Sequence, residues 1–108
     1  MNVVTLIGNL ATEVELREVA GGKQRASFLL AVNRTTQDGA DFIWVVAWDK
    51  QAETCAEHLS KGRRVALDGR LRSRRWEEDG KPRNAVEVVA NRVQFLDAPR
   101  QEVAADAA

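Results

Sequence analysis

The sequence predicts an all-β fold with one short helix: five strands curled into a small barrel, the helix between strands 3 and 4. Three observations predict it. Most apolar residues fall in short alternating runs rich in β-branched side chains. The breaks between the runs are glycine turns. One segment, residues 50–61, switches from a period of two to the helical period.

The strands are justified in order. Residues 2–9 read NVVTLIGN. Residues 26–34 read ASFLLAVNR, with Phe28, Leu30 and Val32 on one face. Residues 42–48 read FIWVVAW. Residues 63–76 read RRVALDGRLRSRRW, with Val65, Leu67, Gly69 and Leu71 at period two. Residues 84–96 read NAVEVVANRVQFL. Gly21-Gly22, Asp38-Gly39 and Asp79-Gly80 mark the hairpin turns, and Pro82 places an exposed loop after the last of them. In 50–61, KQAETCAEHLSK, the side chains Ala52, Cys55, Ala56 and Leu59 fall at i, i+3, i+4 and i+7 and form a narrow apolar stripe. Asp49 stands at the expected N-cap and Gly62 at the expected C′ position. Strands this short do not bury both faces of a flat sheet. Closing them into a barrel plugged by the helix, as in an OB-fold, does.

The 108 residues suit one domain, 1–96, followed by a tail at 97–108 that is poor in large apolar groups and is expected to fray. Sixteen basic and sixteen acidic residues balance, so any basic surface has to be local. One cysteine excludes an internal disulfide framework and a multi-cysteine metal site. No positive segment with an apolar run opens the chain, and no stretch approaches the roughly 18 apolar residues of a membrane span. A cytoplasmic protein is expected, with no membrane partner.

Enzyme constellations are missing. No GxGxxG, P-loop or GxSxG occurs. The single His58 and single Cys55 both lie on the helix, where Cys55 reads as a small core residue and His58 as solvent-facing. No catalysis, cofactor, metal or small-molecule substrate is expected.

The aromatics carry more. Alternation puts Phe42, Trp44, Val46 and Trp48 on one face of the third strand and Ile43, Val45 and Ala47 on the other. If the aliphatic face lines the core, three large rings stand outside. Core, subunit interface and stacking platform for bases compete as explanations. In the fourth strand, inward Val65, Leu67 and Leu71 leave Arg70, Arg72, Arg74 and Trp76 outward. Residues 61–83 hold nine basic and four acidic residues, and the chain uses 12 Arg against 4 Lys. Arginine stacks on planar rings and grips phosphate bidentately. Rings interleaved with arginines suit an extended single strand, whose bases stack while guanidinium groups follow its backbone. Arg34 and Lys50 flank the same surface. A protein-interaction module and a single-stranded RNA binder remain the alternatives.

Five stretches, NVVTLIGNL (2–10), FLLAVNR (28–34), DFIWVVAWDKQAE (41–53), LSKGRRVALDGRLRSRRWEEDG (59–80) and VEVVANRVQFL (86–96), are similar in that order to the bacterial single-stranded DNA-binding proteins, the SSB family. The resemblance implies an OB-fold, a homotetramer, sequence-nonspecific binding of single-stranded DNA in replication, repair or recombination, a nucleoid-associated location and no catalysis. It carries the family's base-stacking positions onto Phe42, Trp48 and Trp76, with Trp44 as an added ring. It matches Arg34 and the fourth-strand arginines Arg70, Arg72 and Arg74 to family positions that line the DNA path, and with the flanking Lys50 these are the expected phosphate contacts. The chain departs from the family pattern at Arg34-Thr35-Thr36, where a further stacking ring is frequent, and at Trp44, where many members have a polar or basic residue. It also closes on Asp106-Ala107-Ala108 without an acidic tip, so recruitment of partners through such a tip is not expected.

Overall fold

A computed structural model describes residues 1–96; the tail expected at 97–108 lies outside the described residues. The strands are β1 (Val4–Leu10), β2 (Glu15–Val19), β3 (Lys23–Asn33), β4 (Ala40–Trp48), β5 (Arg64–Glu78) and β6 (Lys81–Phe95), with helix α1 (Asp49–His58) between β4 and β5. They form one sheet in the order β1-β5-β6-β4-β3-β2, and β1 also pairs with β3 through Asn9↔Ala31 and Leu10↔Leu30. That second pairing closes the sheet on itself, so the expected OB-type barrel with its helix is present. Within it, β4 and β6 run parallel and meet at Val45↔Val88 and Val46↔Val89.

The core is built from the predicted inward faces. Phe28, Leu30, Val45, Ala47, Val65 and Leu67 are buried together with Leu10, Val88 and Ala90. The stripe on α1 seals one end, with Ala52, Cys55 and Leu59 buried against that core. Two glycines permit the tight closure. A Cβ on Gly8 would strike the carbonyl of Ala31, where β1 crosses β3, and one on Gly69 would strike the carbonyl of Val89. At Gly69 the β5–β6 register shifts, from Asp68↔Arg92 to Gly69↔Ala90, and the ladder kinks.

Several expectations are corrected. There are six strands, because Glu15–Val19 pairs with the first half of β3. Its sequence, ELREV, carries three charges and its Leu16 is exposed, so it has no apolar face for alternation to reveal. The last hairpin is longer than expected, running unbroken to Glu78 and resuming at Lys81. Asp79 and Gly80, with φ of 53° and 76°, form its two-residue turn. Pro82 is therefore in a strand rather than a loop. It pairs with Glu77, next to the closing pair Glu78↔Lys81, where a strand turns its N–H side away from its partner and proline sacrifices no ladder bond.

The helix is shorter than expected, ending at His58 with Leu59 at its C-cap. Asp49 is not its N-cap. It is the first helical residue, at φ 54°, and no side chain caps this end. Gly62, at φ 95°, sits in the turn before β5 and donates its N–H to the carbonyl of Leu10 at 2.8 Å. Leu71 continues the inward phase of β5 but is 47% exposed, because the ribbon has there outrun the barrel.

Candidate functional site

The β4 alternation resolves in favour of an aliphatic core face. Val45 and Ala47 are fully buried and Ile43 packs against the core. The opposite face carries Phe42 at 61% exposure, Trp44 at 49%, a buried Val46 and a half-buried Trp48. From Phe42 to Trp48 this row spans about 20 Å at the rise of a β-strand.

Register extends the face across the sheet. On one side of β4, Arg25 is opposite Trp48, Ser27 opposite Val46 and Leu29 opposite Trp44. On the other side, Val46 meets Val89, and within the β5–β6 ribbon Arg72 is opposite Glu87, Arg74 opposite Ala85 and Trp76 opposite Arg83. Paired residues point to the same side of a sheet. The rings of β4 and the arginine row of β5 therefore share one surface, with β6 between them.

Glu87 organises the middle of this surface. It is 5% exposed, Arg72 donates from Nη2 to its Oε2, and Arg25 Nη2 lies 3.6 Å from its Oε1. A carboxylate this deep requires such partners. Arg72 in turn holds its guanidinium 5.9 Å from the centre of the Trp48 ring. Further along the ribbon, Arg74 lies 4.9 Å over Trp76. Both are cation–π spacings, and both restrict the orientation of an indole before any ligand arrives.

Two clefts open on the surface. One, of about 400 Å³, has Trp44, Arg74 and Trp76 in its walls and Ser27, Val46 and Glu87 in its lining. The other, of about 430 Å³, is lined by Val19, Lys23, Trp48, Asp49 and Arg72. Glu87 lines the first and Arg72 the second, so their ion pair is the partition between them.

The structure therefore brings Trp44, Trp76 and Arg74 to one cleft and Trp48 and Arg72 to the other. Phe42, Arg34, Arg70 and Lys50 line neither. Arg34 is exposed near the start of β4, its Nε donating to Asp41 Oδ1 at 3.0 Å. Arg70 is exposed on β5, and Lys50 is exposed in the first turn of α1, off the sheet surface. Sequence reasoning missed Glu87 and Arg25. The signal for Glu87 was a lone carboxylate inside the apolar run VEVVA; Arg25 fell one residue before the expected start of its strand.

No helix among the described residues is long and apolar enough to cross a membrane, and no three His, Cys, Asp or Glu among them are grouped to hold a metal ion. Cys55 is buried, and that burial pushes its thiol up to about 11.

Comparison with known proteins gives a consistent match. The model of the Single-strand binding protein family matches residues 1–96. The Single-stranded DNA-binding protein of Treponema pallidum is 37% identical over 102 residues, covering 89% of this chain and 58% of that protein. Single-stranded DNA-binding protein 2 of Listeria innocua is 47% identical over 103 residues, covering 90% and 65%. The Single-stranded DNA-binding protein of Clostridium tetani is 46% identical over 103 residues, covering 90% and 71%. The chain thus spans from somewhat over half to about seven-tenths of the length of these relatives.

Proposed function

The chain belongs to the single-strand binding protein family, and on that premise we propose that it binds single-stranded DNA without strong sequence preference and shields it during replication, repair or recombination. The observation that carries the reading is the row of exposed Phe42 and Trp44 and half-buried Trp48 on the same sheet surface as Trp76 and Arg70, Arg72 and Arg74 of β5.

In this reading Phe42, Trp44, Trp48 and Trp76 stack bases, each contributing about 1–3 kcal/mol. Arg34, Lys50, Arg70, Arg72 and Arg74 neutralise phosphates. Arg70 and Lys50 are exposed and available outright, whereas Arg34 and Arg72 each share their charge with a carboxylate and exchange part of that pairing for phosphate. Duplex is refused by geometry, because paired bases do not present their faces to the rings. Binding of this kind needs no catalytic group, cofactor or metal, and it fits a cytoplasmic, nucleoid-associated protein.

We also infer self-association, with the homotetramer as the expected state. Val3 at 69% exposure and Ile7 at 50% leave large aliphatic side chains in water at and beside β1, as an uncovered subunit contact would. Sedimentation over a concentration series tests this, and a monomer at every concentration would refute it.

Tryptophan fluorescence titrated with oligo-dT, with a duplex, and at two salt concentrations tests the binding. Quenching by oligo-dT, little by duplex, and partial relief by salt is the expected result. No quenching at low salt would reject the reading and leave the rings as a protein interface.

A further inference from the structure

We propose that the cleft between Trp44 and Trp76 is a subsite for one nucleobase, held between two indoles with its edge turned to a polar floor, rather than one more flat stacking platform. The inference rests on the single-strand binding reading and adds to it where and how one base is seated.

Three observations carry it. Trp44 and Trp76 come from different strands, β4 and β5, and both line the same cleft of about 400 Å³, which has room for a nucleobase. Both side chains are partly uncovered, at 49% and 38%, so neither is sealed by the fold. Arg74 lies 4.9 Å over Trp76 and lines the same cleft, which restrains one wall and puts a cation within the site for the phosphate of a seated nucleotide.

The floor is polar. Here the Glu87 carboxylate and the Arg25 guanidinium lie side by side, and Ser27 lines the same cleft. Glu87 Oε2 is taken by Arg72, while Oε1 is 3.6 Å from Arg25, too long for a hydrogen bond. An acceptor beside a donor matches every base, because each carries donors and acceptors side by side on its pairing edge. Such a floor hydrates or binds any base edge without choosing one. It lets a base be buried without the cost of unsatisfied polar atoms and keeps the site tolerant of sequence.

The subsite predicts behaviour that a flat platform does not. Two walls around one base act as a unit, so their contributions are coupled. Trp48, beyond the Arg72–Glu87 partition, belongs to the neighbouring cleft and acts independently.

The test is a double-mutant cycle on oligo-dT binding, with Trp44→Ala, Trp76→Ala and the double variant, beside a second cycle pairing Trp48→Ala with Trp44→Ala. Expected is a double variant at Trp44 and Trp76 at least fivefold tighter than the product of the two single losses, with Trp48 and Trp44 additive within twofold. Additivity of Trp44 with Trp76 would overturn the subsite while leaving single-strand binding intact, and loss of oligo-dT binding by the parent protein would overturn the reading beneath it. Indole N–H resonances, assigned through Trp44→Phe, Trp48→Phe and Trp76→Phe, give a second readout during titration with dCMP. The Trp44 and Trp76 signals should move together and saturate at one concentration. Movement of Trp76 with Trp44 stationary would equally reject the subsite.

Discussion

The two halves of β5 belong to one continuous strand and meet different fates. In the first half, Val65 and Leu67 point inward and are buried beneath the rest of the barrel. In the second half, beyond Gly69, the inward phase brings Leu71 and Ser73 out into solvent, and every residue from Ser73 to Glu78 is exposed. Leu71 still keeps the apolar phase of Val65 and Leu67, and only at Ser73, Arg75 and Glu77 does the inward phase turn polar. The difference is what stands opposite: the barrel wall in one case, open ribbon in the other. Apolar area buried in the first half stabilises the fold, at about 25 cal/mol per Å². The second half contributes little to stability and is free to carry charge and rings. Stability and binding are thus assigned to neighbouring stretches of one strand, and substitutions should separate them.

The largest effect is expected at the boundary. Gly69→Ala places a Cβ against the backbone carbonyl of Val89, which no rotamer change relieves. The expected cost is about 3 kcal/mol of folding stability, a large share of the total for a small domain, read as a lower midpoint in urea. An unchanged midpoint would mean that the register shift at Gly69 adapts freely. Trp76→Ala, only seven residues on, should do the reverse. It is expected to weaken oligo-dT binding about tenfold and to leave the same urea midpoint within about 0.5 kcal/mol. If Trp76→Ala lost stability to the same degree as Gly69→Ala, the division between the halves would be wrong.

This division also explains what was legible beforehand. The barrel half was readable because a buried face imposes alternation, and Phe28, Leu30, Val45, Ala47, Val65 and Leu67 all obey it. So was the helix stripe, down to Ala52, Cys55 and Leu59. β2 was not readable: its partner supplies the backbone hydrogen bonds, and an exposed edge strand needs no apolar face. The cap at Asp49 failed because the chain enters α1 directly from β4 through a left-handed residue, leaving no extended position for that side chain to cap from. On the binding surface, the rings and arginines were visible as residue types. Their grouping into two clefts was not, because it depends on Glu87, whose partners Arg25 and Arg72 come from β3 and β5.

A smaller effect sharpens the electrostatic side of the ribbon. Arg72 is a poor place to test a phosphate contact, since reversing its charge would also set two carboxylates against each other at Glu87. Arg70 is exposed and has no ion pair among the described residues. Arg70→Ala should leave stability unchanged and lower the slope of log affinity against log salt by about 0.7, the share of one phosphate on a single strand. Equal slopes for variant and parent would remove Arg70 from the phosphate path.

An effect absent at neutral pH belongs to the barrel end that α1 seals. Burial holds the Cys55 thiol at about 11 rather than 9.0, because a thiolate there would lose its hydration. The folded protein therefore keeps its proton where the unfolded chain gives it up. Below pH 9 the two states bind that proton equally and Cys55 adds no pH dependence. As pH rises from 9 toward about 11, ionisation favours the unfolded chain and stability declines. The chain contains no tyrosine, so no phenol titrates over the same range. Urea midpoints measured from pH 8 to 11 should fall for the parent and fall less for Cys55→Ala. At pH 8, an alkylating reagent should label the thiol slowly in the folded protein and rapidly in urea. Fast labelling of the folded protein would mean that α1 lifts readily from the barrel, and the contrast between a closed barrel and an open ribbon would then hold only for the strands.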